Sequence, residues 1–192
     1  MAHTSGTAWV VTRPPRIARI ALAVVVGGAA LFVLVVLASA SVDRPSKTIQ
    51  TAVTVEASRE TVWRILTDFE GYARWNPFMT AAEGDARLGA HIEVDLHPPD
   101  SDTQELSPEI TILRPNRKLA WMSREMLPGI SDREYEVILD PLGDERVRVV
   151  MHKRFEGILI PFTSTAEEQV GLDLMAEALK RRAEKATLES GD

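Results

Sequence analysis

The chain has 192 residues, 45% apolar and 26% charged, with 11 aromatic side chains and no cysteine, which leaves room for one ordinary domain beyond an apolar N-terminal run. The missing cysteine excludes disulfides, thiolate catalysis and cysteine-ligated zinc or iron–sulfur centres. The net charge of −6 is uneven, since residues 1–40 carry Arg13, Arg16 and Arg19 and no acid, and the acidic remainder argues against a nucleic-acid partner, whose phosphates require Lys and Arg.

Residues 20–40, IALAVVVGGAALFVLVVLASA, hold no charge. As a helix they extend about 31 Å, enough for a bilayer core of about 30 Å. The arginines on the N-terminal side predict a cytoplasmic tail (1–16), a transmembrane helix (17–40) and a domain outside the cell membrane. The ASA at 38–40 resembles a signal-peptide cleavage site, but the apolar region is longer than a signal peptide needs. An uncleaved single-pass anchor is the expectation, followed by a polar linker (41–47) and a domain (48–188).

Within the domain, residues 48–57 alternate as a first strand. Ser58 is a candidate N-cap for a helix carrying Val62, Ile65 and Leu66. A second short helix over 70–75 stops at Asn76-Pro77, because a residue before proline is pushed out of the helical region. The stretch GYARWNPF (71–78) there places Tyr72, Trp75 and Phe78 within eight residues. Strand patterns then follow in series. HIEVDLH (91–97) puts Ile92, Val94 and Leu96 on one face. Pro115-Asn116 turns between two further strands, and LGDE (142–145) marks a hairpin between the last two. Residues 163–187 read as one long helix whose stripe is Val170, Leu174, Met175, Ala178, Leu179, Arg182 and Ala186. The expected fold class is α+β: a curved antiparallel sheet of about six to seven strands around a long C-terminal helix.

This order, together with ASRETVWRILTDFEGYARWNPF (57–78), RPNRKLAW (114–121), RFEGILIPF (154–162) and MAEALKRRAE (175–184), resembles the START-like helix-grip superfamily, also called SRPBCC, with its polyketide cyclases/dehydrases and lipid-transfer domains. The resemblance covers residues 48–187. It implies a cavity between the concave sheet and the C-terminal helix, with the WNPF turn and the central strands lining it. Many relatives carry a histidine in the strand after LAW; here Arg133 and Glu134 occupy that stretch.

The candidate ligand-binding residues are therefore Trp75, Asn76, Phe78, Trp121, Tyr135 and Arg182. Trp75 and Phe78 suit a gate, or plain core. Asn76 suits a ligand-orienting amide, or a turn cap. Trp121 and Tyr135 suit a pocket wall, with the phenol a donor of ordinary pKa, and Arg182 lies on the apolar helix stripe. His152 shares its strand face with polar neighbours and is assigned to solvent. His91, Glu93, Asp95 and His97 share a face, but same-face strand residues stand about 6.6 Å apart and cannot alone close a metal shell. No GxSxG, P-loop, GxGxxG or HExxH occurs, so no catalytic residue, metal or cofactor is assigned. The expected role is membrane-tethered binding or transport of a small hydrophobic or amphipathic ligand. The alternatives are a cyclase- or dehydratase-like enzyme, using Tyr135, Arg182 or His152, and a protein-interaction module.

Overall fold

Period-2 alternation in β1 (Ser46–Val55), an edge strand, turns Ile49, Thr51, Val53 and Val55 inward and Gln50, Ala52 and Thr54 to solvent. A computed structural model describes residues 44–97, 103–125 and 127–190. The tail, the transmembrane helix and the first three linker residues of the sequence reading lie outside the described residues. Among the described residues, no helix is long and apolar enough to cross a membrane.

Helix α1 (Arg59–Thr67) begins where Ser58 Oγ accepts the Thr61 N–H at 3.2 Å, so the predicted cap is in place. A 3-10 helix over Phe69–Arg74 follows, where a second short helix over 70–75 was expected. Its chain reversal satisfies the end of α1, because the Tyr72 hydroxyl donates to the Leu66 carbonyl at 2.8 Å. Asn76 then accepts the Phe78 and Met79 N–H groups on Oδ1, at 3.0 and 2.9 Å, and turns the chain into β2 (Met79–Glu83).

The strands number eight and lie in two sheets, where one sheet of six to seven was expected. β2, β3 (Glu93–Leu96) and β4 (Gln104–Leu106) form the smaller sheet. β5 (Glu109–Arg114), β6 (Lys118–Glu125), β7 (Ser131–Gly143) and β8 (Arg146–Glu156) join β1 in the order β1-β8-β7-β6-β5, all antiparallel. Single backbone bonds, Gly89 N–H to Ile110 C=O and Ile92 N–H to Pro108 C=O, connect the two sheets without a regular ladder. The β5–β6 turn puts Asn116 at φ 58°, a left-handed conformation that asparagine tolerates.

Helix α2 (Ala166–Ser190) covers the inner face and is tied along β1: Gln169 Nε2 donates to Gln50 C=O, and the Glu56 N–H donates to Glu184. Its buried face is Gly171, Leu172, Met175, Ala176, Ala178, Leu179, Ala183 and Ala186. Met175, Ala178, Leu179 and Ala186 of the predicted stripe are on it, and the other three are corrected, because Val170 and Leu174 are exposed and Arg182 is half-exposed. The physical reason is close approach: small side chains face the sheet where the helix comes nearest. Gly171 is the extreme case, since a Cβ there would fall inside the Phe78 ring.

Candidate functional site

The strands cup a void on their inner face. Phe78, Val94, Leu96 and Leu106 close it from the side of the small sheet, Trp121 and Tyr135 from the large sheet, and Leu172 and Met175 from α2. Strand alternation puts Trp121 and Tyr135 opposite one another in register, so their rings stack at 4.5 Å with 26° between planes. Phe69 meets Trp121 edge-on at 6.4 Å. The Tyr135 hydroxyl points to Met175 Sδ at 3.4 Å. Its pKa is not the ordinary one expected: burial pushes it well above the usual phenol value, with the Tyr72 charge adding to the effect. At neutral pH Tyr135 is thus a fixed hydrogen-bond donor, and its ring is part of the wall.

One end of the void is charged. Ser123, Arg133, Lys153 and Glu168 contribute to the lining there. Lys153 is 8% exposed and bonds Glu168 at 2.5 Å, joining β8 to the first turn of α2. Its ammonium also lies 5.8 Å from the Phe78 ring centre and 5.6 Å from that of Phe155, within the range of cation–π attraction. A carboxylate in the first helical turn is favoured by the helix dipole, and the pair neutralises two charges that burial would otherwise penalise. The space open to the centre of a water-sized sphere is about 40 Å³, inside a total void of about 530 Å³ that includes its mouth. The smaller volume decides what fits without movement: about three water molecules.

Three of the six candidate residues meet at this void: Phe78, Trp121 and Tyr135. Trp75 does not line it; the ring packs edge-on against Tyr72 at 4.9 Å, on the outer side of the turn. Asn76 is buried as the turn cap, and its Nδ2 has no hydrogen-bond partner among the described residues. Arg182 lies outside the void with its side chain 38% exposed, 3.9 Å from Glu189, because the helix is rotated relative to the predicted stripe. His152 faces the outer side of the sheet beside Glu134, Glu136 and Arg154. His91 bonds the Ser107 carbonyl and His97 the Thr103 hydroxyl, both at 3.0 Å, so the two rings serve local turns.

Residues 46–190 match the family described as polyketide cyclase / dehydrase and lipid transport. The chain belongs to this family. No curated protein matches it. Among solved structures, a START superfamily protein from Mycobacterium smegmatis is similar at 21% identity and TM-score 0.59, covering 72% of this chain and 98% of that one. Norcoclaurine synthase from Thalictrum flavum, as a point mutant with a transition-state analogue, is similar at 16% identity and TM-score 0.59, covering 77% and 99%. The Zhui aromatase/cyclase from Streptomyces sp. R1128 is similar at 20% identity and TM-score 0.54, covering 74% and 96%. At such identities the likeness is one of fold, which in this family member is a sheet gripping a C-terminal helix.

Sequence reasoning missed Lys153, Glu168 and Ser123 as lining residues. The signal for Lys153 was present, since the alternation Val147, Val149, Met151 continues inward to Lys153 and Phe155. Glu168 carries no such signal. A glutamate in the first turn of a helix is ordinary, and only the packing of α2 on β8 brings it to the void.

Proposed function

We propose that this family member binds a small amphipathic ligand between sheet and C-terminal helix, and carries it in a domain tethered to the membrane by residues 17–40. The ligand's apolar body lies against Trp121, Phe78 and Leu172, and its polar group meets the charged end at Lys153 and Glu168. The observation that carries this reading is the composition of the void: an aromatic and aliphatic wall with one buried charged pole, the usual make-up of a small-molecule site. Burial of the apolar body supplies the affinity, at about 25 cal/mol per Å² removed from water. Membership of a family whose description includes lipid transport supports the same reading. The tether rests on the 21 uncharged residues at 20–40 and the arginines before them, which orient the domain outward.

The narrow void makes opening part of the mechanism. A ligand larger than a few waters requires the small sheet and the first turns of α2 to part. Titrating the full-length protein with a fluorescent single-chain lipid probe tests this. Saturable uptake that Phe78→Trp, by narrowing the void, reduces several-fold is the expected result. Uptake indifferent to that change would contradict the site.

A further inference from the structure

The β6–β7 loop and the β8–α2 loop lie together at one end of the large sheet. The Ile158 N–H donates to Gly129 C=O at 3.2 Å, and the Leu159 N–H to Ile130 C=O at 3.3 Å. The approach is close enough that a Cβ on Gly157, which sits at φ 145°, would collide with the Ile130 carbonyl. Around this seam four large apolar side chains face outward: Leu127 (69% exposed), Ile158 (62%), Leu159 (47%) and Phe162 (88%). The Ile130 N–H donates to Leu127 C=O at 3.2 Å and the Phe162 N–H to Leu159 C=O at 3.1 Å, so the four sit on joined segments as a patch and are not scatter. Ile160 between them is 1% exposed and pins the loop to the core.

The start of the domain is attached to the same seam. Pro45 C=O accepts the Gly157 N–H at 3.1 Å. The Arg44 guanidinium lies against Gly129, within 2.8 Å of where a Cβ would stand. Three residues separate Arg44 from the end of the uncharged run at Ala40, and those four steps reach at most about 14 Å. With that run as the proposed tether, chain length keeps this end of the domain within reach of the bilayer. Arg44 and Lys47 flank the start, a sign that suits anionic headgroups. The opposite end of the sheet, about 30 Å away along β8, differs: Arg59, Glu60, Asp144 and Glu145 border a polar crevice there. Ser123, Arg133 and Lys153 lie toward the apolar end of β6, β7 and β8.

We infer that Leu127, Ile158, Leu159 and Phe162 form a lipid-contact face that seats in the bilayer interface, holding the charged end of the void toward the lipid. The inference rests on the tether of the proposed function, and burial of such side chains extends about 5–10 Å into the headgroup boundary.

The lack of native cysteine allows a direct test. The full-length protein is reconstituted into phosphatidylcholine/phosphatidylglycerol vesicles as Phe162→Cys, Leu127→Cys or, at the far hairpin, Leu142→Cys, each labelled with an environment-sensitive dye. Vesicle flotation is measured in parallel with quenching by brominated lipid. Labels at 162 and 127 are expected to shift to the blue and lose most of their emission, while the label at 142 keeps its own. Flotation with all three labels unquenched would overturn the contact face and leave the tether standing. Failure to float would overturn the tether and the inference with it. Labels at 162 and 127 that are shielded from aqueous iodide yet unquenched by lipid would show a protein partner instead, and would also overturn it.

Discussion

The middle of the void and its charged end are built by different physics. The middle is the Trp121–Tyr135 stack closed by Met175, where every contact is apolar or a weak hydroxyl–sulfur bond. The charged end is the Lys153–Glu168 pair, which gains little net stability because burial costs nearly what the attraction returns. The difference places stability in the wall and, on the proposed function, choice of ligand at the charged end. A fold needs the stack.

The strongest way to break this contrast is Trp121→Ala. Loss of a stacked, buried ring that also meets Phe69 is expected to cost about 3–5 kcal/mol in denaturant unfolding. A loss below 1 kcal/mol would mean that the wall is not what holds the sheet. Next in size, Lys153→Met strands Glu168 without its cation and is expected to cost about 3 kcal/mol. The double variant Lys153→Met, Glu168→Leu sharpens the comparison: stability returns to within about 1 kcal/mol of the parent, while preference for polar-headed over purely apolar probes disappears. Gly171→Ala drives a methyl into the Phe78 ring and is expected to cost about 1–3 kcal/mol through overpacking, with lowered probe uptake.

The smallest effect is visible only in alkali. Tyr72 and Tyr135 both have phenol pKa values raised above 10 by burial. Between pH 10 and those raised values the unfolded chain has lost protons that the native state keeps, so stability is full below pH 10 and falls as pH rises. Each phenol contributes up to about 1.4 kcal/mol per pH unit in that window. Tyr135→Phe is expected to flatten the decline, measured as midpoint denaturant concentration between pH 9 and 11; an unchanged slope would place the phenol in contact with water.

Much of the fold was legible because local signals agreed with it. Ser58 caps its helix, Asn76-Pro77 ends the 3-10 turn, Asn116 occupies a left-handed turn, and the alternation of β3 puts Ile92, Val94 and Leu96 inside. The break into two sheets was not legible, because it depends on where Gly89–Ile92 bonds β5. The rotation of α2 was misread because periodicity weights large side chains, whereas the buried face includes the small residues Gly171, Ala176 and Ala183, with Gly171 pressed on Phe78. At the site, Phe78, Trp121 and Tyr135 followed from the family resemblance, which lines the cavity with the WNPF turn and the central strands; alternation alone did not say which strand face is concave. Trp75 and Arg182 did not reach the void because a turn and a helix rotation direct them elsewhere. The charged end depends on one pair, 15 residues apart, that only tertiary packing brings into contact.

The central claim is that the void between sheet and helix holds a ligand with one polar end. Native mass spectrometry of the full-length protein, extracted from membranes in mild detergent, tests it most directly. A retained small molecule, displaced in Gly171→Ala and exchanged for a purely apolar one in the Lys153→Met, Glu168→Leu variant, is the predicted result. A protein that carries no small molecule and takes up none from added lipid would contradict the account.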